Sequence, residues 1–228
     1  MSTRRDLVTR VGAAALGWLA VDRATADENP APVGPGRRVA FPNPTLVTHE
    51  GREVKFYDDL VRGKVVALNM MYTDCDDTCP LATSNLVRVQ QLLGERVGRD
   101  VFMYSLTLQP EVDTPQRLKE YADLHGAQPG WLFLTGEPAE LEQLRYALGF
   151  YDPDPAIDGD KTTHTGMVRI GNDAYDRWTS APSLSSPEQI AAVIRHVDRS
   201  AGAALIRPAS EATGHDAAQH AHHHQHGE

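Results

Sequence analysis

The chain has 228 residues, a formal net charge of −9, 41% hydrophobic residues and 23% charged ones. That length suits one full domain with terminal extensions, and the composition is that of an ordinary globular protein. An acidic chain without a Lys/Arg cluster argues against nucleic acid as a partner, and 2 cysteines are too few for a disulfide scaffold.

The N-terminus, "MSTRRDLVTRVGAAALGWLAVDRATADENP", opens with a basic patch containing Arg4-Arg5. A weakly apolar stretch follows from Val11 to Val21, then the small-residue cleavage pattern Ala24-Thr25-Ala26. The apolar run is about half the ~20 residues that a membrane-spanning helix needs. This order of features predicts a cleavable signal peptide over residues 1–26, and "TRRDLV" resembles a twin-arginine export signal. The expected location is the periplasm or the outer face of the bacterial cytoplasmic membrane. Membrane contact is then expected only through a client or an uncleaved signal. Residues 27–40 are rich in Pro and Gly and read as a linker.

Periodic structure is expected from residue 41 to about 200. "TLVTHEGREVKFYDDL" reads as two short strands around Glu50-Gly51. "KVVALNMMY" (64–72) is a nearly unbroken apolar run, as in a strand buried on both faces. "PLATSNLVRVQQLLG" then predicts a helix with Ala82, Leu86, Val89 and Leu93 on one face and Gly94 ending it. "VFMYSLTL" (101–108) is a second buried strand. Thr114-Pro115 opens a helix to about His125, with Thr as cap and Pro at the first helical position. "WLFLT" is a third strand, Pro138 opens a helix closing at Gly149, and "HTGMVRIGNDAYDRW" reads as a hairpin. Ser186-Pro187 starts a last helix. A hairpin, alternating strands and helices, then a second hairpin and a helix predict an α/β, thioredoxin-like fold. A central mixed sheet is flanked by helices, because parallel crossovers are right-handed.

The segment "TDCDDTCP" (73–80) holds both cysteines. Their spacing is one residue longer than the usual redox motif and does not fit a zinc knuckle. Pro80 suits the first helical position, which makes Cys79 the helix cap and Cys75 part of the preceding loop. Both sulfurs then lie near the positive end of a helix, whose field lowers a thiol pKa and favours thiolate. The spacing leaves two uses open, a disulfide or a joint grip on one ion. A structural zinc ion wants four protein ligands, and no further cysteine exists. Two thiolates with one imidazole suit copper, Cu(I) in particular. The candidate imidazole is His164 in "DGDKTTHTGMVRI", where a polar loop runs into a strand. His49, His125 and His196 are weaker candidates.

"FPNPTLVTHEGREVKFYDDLVRGKVVALNMMYTDCDDTCPLATSNLVRVQQLLG", with "DTPQRLKEYADLHG", "WLFLTG" and the distal His164, resembles the Sco/SenC family of copper chaperones over residues 41–197. The C-x-x-x-C-P segment with a downstream histidine is the specific part. The resemblance implies a thioredoxin-like fold that binds copper, as Cu(I) or Cu(II), through Cys75, Cys79 and His164. It also implies a copper-enzyme client, such as subunit II of cytochrome c oxidase, to which copper is delivered or whose cysteines are reduced. Gln109-Pro110 and the acidic "DDT" between the cysteines depart from the common family pattern, as does the cleavable signal in place of a membrane anchor. These departures leave two clients open, cytochrome c oxidase and, for a divergent branch, another copper enzyme.

Other readings remain. A periplasmic thiol-disulfide reductase is the main rival, since exposed helix-end thiols exchange well. A structural disulfide would explain the cysteines but not His164. A thiol peroxidase wants Thr three residues before its cysteine, where this chain has Tyr72. Asp74, Asp76 and Asp77 read as a solvated loop, and Met70, Met71 and Met103 as core. Residues 207–228 lack large apolar residues and are expected to be disordered. They carry His215, His220, His222, His223, His224 and His226, a tract that can gather metal ions.

Overall fold

The structure, a computed structural model, describes residues 40–198 apart from Thr165. The expected signal, the linker up to residue 39 and the histidine-rich tail lie outside the described residues.

Two strands, β1 (Thr45–Thr48) and β2 (Glu53–Lys55), form the first antiparallel hairpin. Its turn contains Gly51 at φ 78°, a left-handed conformation that glycine adopts without steric cost. The apolar run becomes β3 (Val65–Met71), whose seven residues are all buried. Side chains alternate across a strand, so both faces of β3 are covered. Helix α1 (Thr78–Leu93) buries Ala82, Leu86, Val89 and Leu93, as the periodicity predicts. Strand β4 (Val101–Thr107) returns parallel to β3.

Helix α2 (Pro115–His125) has the predicted start. The Arg117 N–H donates to the Thr114 hydroxyl oxygen at 3.3 Å, and Pro115 takes the first helical position. Strand β5 (Trp131–Gly136) is parallel to β4, and α3 (Pro138–Ala147) follows it. The polar stretch after α3, read as a loop, contains a single helical turn, α4 (Pro155–Asp158), and a 3₁₀ turn at Lys161–His164. The second hairpin is β6 (Met167–Asn172) with β7 (Arg177–Pro182), and α5 (Pro187–Asp198) ends the described chain.

The strands lie in the order β2-β1-β5-β4-β3-β6-β7. Strands β3, β4 and β5 run parallel, while β6 pairs antiparallel with β3, and β1 antiparallel with β5. A parallel βαβ unit extended by an antiparallel hairpin and closed by a helix is thioredoxin-like, as expected. Met70, Met71 and Met103 are buried within this sheet. The arrangement sends two loops out at one end of the sheet. One leaves β3 towards the cysteines, and the other feeds His164 into β6, the neighbour of β3.

Candidate metal and redox site

The cysteine segment is held from below by a buried carboxylate. Asp113 accepts hydrogen bonds from the Thr73 backbone N–H (3.2 Å), the Thr73 hydroxyl (2.5 Å) and the Thr107 hydroxyl (2.5 Å). The loop after β3 is thereby tied to the end of β4. Arg117 of α2 adds an ion pair to Asp74 at 2.5 Å. Both partners of that pair are substantially exposed, so it contributes little to stability. Asp74, Asp76 and Asp77 are exposed, as a solvated loop should be.

Helix α1 begins earlier than expected. Its first residue is Thr78, with Asp77 at the cap position making no side-chain cap bond. Cys79 is therefore the second helical residue rather than the cap. The cap acceptor is the sulfur of Cys75, which receives the Cys79 backbone N–H at 3.3 Å. A sulfur can do this because the first N–H groups of a helix have no intrahelical partner. Both cysteines are free thiols and both are buried.

Burial opposes ionisation of Cys75. Against it act hydrogen bonds from the Cys79 thiol, the Asp77 and Cys79 backbone N–H groups and the Tyr72 hydroxyl, and together they hold the Cys75 thiol below its ordinary pKa. Burial, then its hydrogen bond to Cys75, pushes the Tyr72 phenol up, so Tyr72 remains a donor to that sulfur. The Cys75 thiol is thus easier to ionise than an ordinary cysteine, and the Cys79 thiol lies within hydrogen-bonding reach of it. This is the polarity required of a nucleophilic dithiol and of a soft-metal grip alike.

His164 sits at the end of its 3₁₀ turn and is buried. Its Nε2 lies 2.9 Å from the Asp158 carbonyl oxygen and 3.2 Å from Nη1 of Arg145. Arg145, on α3, is itself buried and clamps Asp158 and Glu142. The same loop is stitched to the sheet by Lys161, whose Nζ donates to the Leu108 carbonyl at 2.8 Å. Leu108 N–H in turn donates to the Met71 carbonyl at 2.8 Å. An open cleft of about 550 Å³ lies beside His164, lined also by Arg145, Tyr146, Tyr151 and Asp158.

The structure brings Cys75 and Cys79 together. It places His164 on the neighbouring loop, engaged with Asp158, and among the described residues no group of three His, Cys, Asp or Glu side chains is arranged to hold a metal ion. His49 accepts the Phe133 N–H at 3.1 Å in the first hairpin, His125 packs tilted against the Tyr121 ring, and His196 is exposed on α5. The sequence singles out neither Asp113 nor Arg145, and Tyr72 only as the residue three before Cys75. Asp113 resembles any acidic residue before a helix cap, and Tyr72 extends an apolar run. Arg145 did leave a trace, because it shares a helix face with Leu141 and Leu148, where an arginine needs buried partners.

The SCO1/SenC family profile matches residues 40–198. The chain belongs to the SCO1/SenC family. A proposed copper-binding protein of Stutzerimonas stutzeri is 31% identical over 170 residues, covering 73% of this chain and 81% of the relative. Among solved structures, Bradyrhizobium japonicum ScoI with copper bound aligns with a TM-score of 0.53 and 25% identity, over 69% of this chain and 99% of that one. BsSco, described as a Sco-family cytochrome c oxidase assembly protein with a disulfide switch, aligns with a TM-score of 0.57 and 21% identity, over 71% and 93%. Membership agrees with the resemblance carried by the cysteine motif, and these neighbours share the thioredoxin-like fold.

Proposed function

We propose that this SCO1/SenC protein is an exported metallochaperone that takes copper as its cargo and passes it to a copper enzyme, or reduces that enzyme's cysteines. Cytochrome c oxidase, through its subunit II, is the client the family suggests. The observation that carries the reading is the pair itself: two buried free thiols at the start of α1, with the Cys75 sulfur accepting the Cys79 N–H at 3.3 Å. Two soft sulfurs fit copper, and an imidazole suits the same ion. Cys75, Cys79 and His164 are the residues that would hold it, the histidine being supplied by the loop that leads into β6. The copper-bound ScoI relative supports this cargo.

A second reading is a periplasmic thiol-disulfide reductase, favoured by the hydrogen-bonded Cys75 sulfur and by the disulfide switch described for BsSco. Anaerobic copper titration of reduced protein truncated after Arg207 separates the two. Tight binding of one equivalent supports the chaperone. Absence of binding, with rapid disulfide exchange, supports the reductase.

The tail histidines His215 to His226 act in this scheme as an auxiliary metal-gathering segment. Full-length protein should bind more ions than the truncated form, and both should keep the first tight equivalent. Loss of that equivalent on truncation would place the primary site in the tail. Export by the twin-arginine route predicts that Arg4→Lys together with Arg5→Lys traps the precursor in the cytoplasm. Normal export of that variant, followed by cell fractionation, would refute the route.

A further inference from the structure

The guanidinium of Arg145 is saturated. Its Nε donates to Glu142 Oε2 (2.9 Å), and its Nη2 donates to Glu142 Oε1 (2.6 Å) and Asp158 Oδ2 (2.8 Å). Its Nη1 donates to Asp158 Oδ1 (2.7 Å) and the Phe150 carbonyl (2.8 Å). Arginine has five N–H donors, and all five point at oxygens. None remains for His164, although Nη1 approaches Nε2 to 3.2 Å.

The other neighbours of Nε2 both belong to Asp158 and can only accept: its carbonyl oxygen at 2.9 Å and, farther off, its carboxylate Oδ1 at 3.5 Å. A neutral imidazole carries one N–H and one lone pair. Contact with an acceptor therefore places the N–H on Nε2 and the lone pair on Nδ1. Asp158 is in turn held on both carboxylate oxygens by Arg145 and on one by the Tyr146 hydroxyl (2.5 Å). Its Oδ1 also accepts the Asp152 N–H at 2.8 Å. The carbonyl that orients the histidine thus belongs to a residue locked in place by a buried, doubly bidentate arginine.

We infer that Arg145 is the positioning residue of the copper site: through Asp158 it fixes His164 as the Nε2–H tautomer and makes Nδ1 the metal-binding nitrogen. Donation of the second ring N–H to a fixed acceptor is the usual way a protein orients an imidazole ligand. This inference rests on the proposed role of His164 as a copper ligand, but its first test does not involve copper.

The test is ¹⁵N NMR of the His164 ring in the metal-free, reduced full-length protein, well above the ordinary imidazole titration range. Nε2 should appear protonated and Nδ1 bare. Addition of Cu(I) should then shift Nδ1 while Nε2–H persists. A metal-free ring protonated on Nδ1, or a Cu(I) shift at Nε2, overturns the inference. Arg145→Gln should release the ring into mixed tautomers and weaken copper binding by about 10–100-fold. That loss is read site-specifically, as the chelator concentration that reverses the His164 shift, while the cysteines still form their disulfide. Should Arg145→Gln fail to fold, Asp158→Ala keeps the backbone carbonyl and removes both carboxylate oxygens that anchor the arginine, and the same shift is expected. A single tautomer and unchanged chelator resistance in the folded variant overturn the inference. If His164 shows the predicted tautomer yet no copper-induced shift at all, the ligand assignment fails and the tautomer stands.

Discussion

Reduced protein should bind one copper ion tightly at Cys75 and Cys79, and oxidised protein should bind none there. Each sulfur can be a thiolate ligand or half of a disulfide, but not both, so copper occupancy and oxidation of the pair exclude one another. The hydrogen-bond pattern makes the reduced state ready for either fate. Against burial, the Cys79 thiol, the Asp77 and Cys79 N–H groups at the start of α1 and the Tyr72 hydroxyl hold the Cys75 thiol below its ordinary pKa. Cys75→Ser and Cys79→Ser should each abolish tight binding, because a hydroxyl is neither soft nor ionised at neutral pH. His164→Ala should weaken binding at least as much as loss of an outer-shell partner, about 10–100-fold, and leave disulfide formation intact. The measurement is anaerobic titration against a competing chelator, using protein without the tail so that its histidines do not mask the loss. If the oxidised, tail-less form binds copper as well as the reduced form, the cysteines are structural and the chaperone reading fails.

The extent to which this site could be read from sequence follows the range of the interactions that build it. The β3 run, the Leu86 and Val89 face of α1 and the Thr114-Pro115 start of α2 are local patterns, and each appears where expected. The cysteine pair and His164 stand out by residue type. The helix start at Thr78 was missed because Pro80 fits several early helical positions, and the choice among them rests on the Cys75 sulfur accepting from Cys79. The bonds from Asp113 to Thr73, separated by 40 residues, and the approach of Arg145 to His164, separated by 19, have no periodic signature. Residues 150–166 read as a loop because helical turns of only four residues, Pro155–Asp158 and Lys161–His164, are too short to show a period. Those turns carry the carbonyl and the ring that meet beside Arg145.

The anchoring of the cysteine loop predicts the largest effect on stability. Asp113→Ala removes the acceptor for the Thr73 N–H, the Thr73 hydroxyl and the Thr107 hydroxyl at once. The two hydroxyls can rotate about their C–O bonds to seek another acceptor, while the Thr107 oxygen keeps the bond it accepts from the Gln109 N–H at 2.9 Å. The Thr73 N–H has no such freedom, and its nearest alternative is water admitted into a buried space. A buried donor left without a partner costs roughly 1–3 kcal/mol. With the void left by a residue 1% exposed, about 2–4 kcal/mol is expected in total. For a domain of this size that lowers Tm by roughly 4–16 °C. Asp113→Asn should cost less, because its amide oxygen still accepts, although its NH₂ group faces donors. The functional consequence follows the geometry: Thr73 lies two residues before Cys75, so a loosened Thr73 lets the Cys75 sulfur drift from the start of α1. Calorimetry of the reduced variants measures the first effect, and the rate of disulfide formation measures the second. An unchanged Tm for Asp113→Ala would mean that the loop is held by α1 and Tyr72 alone, and that the carboxylate beneath it is incidental.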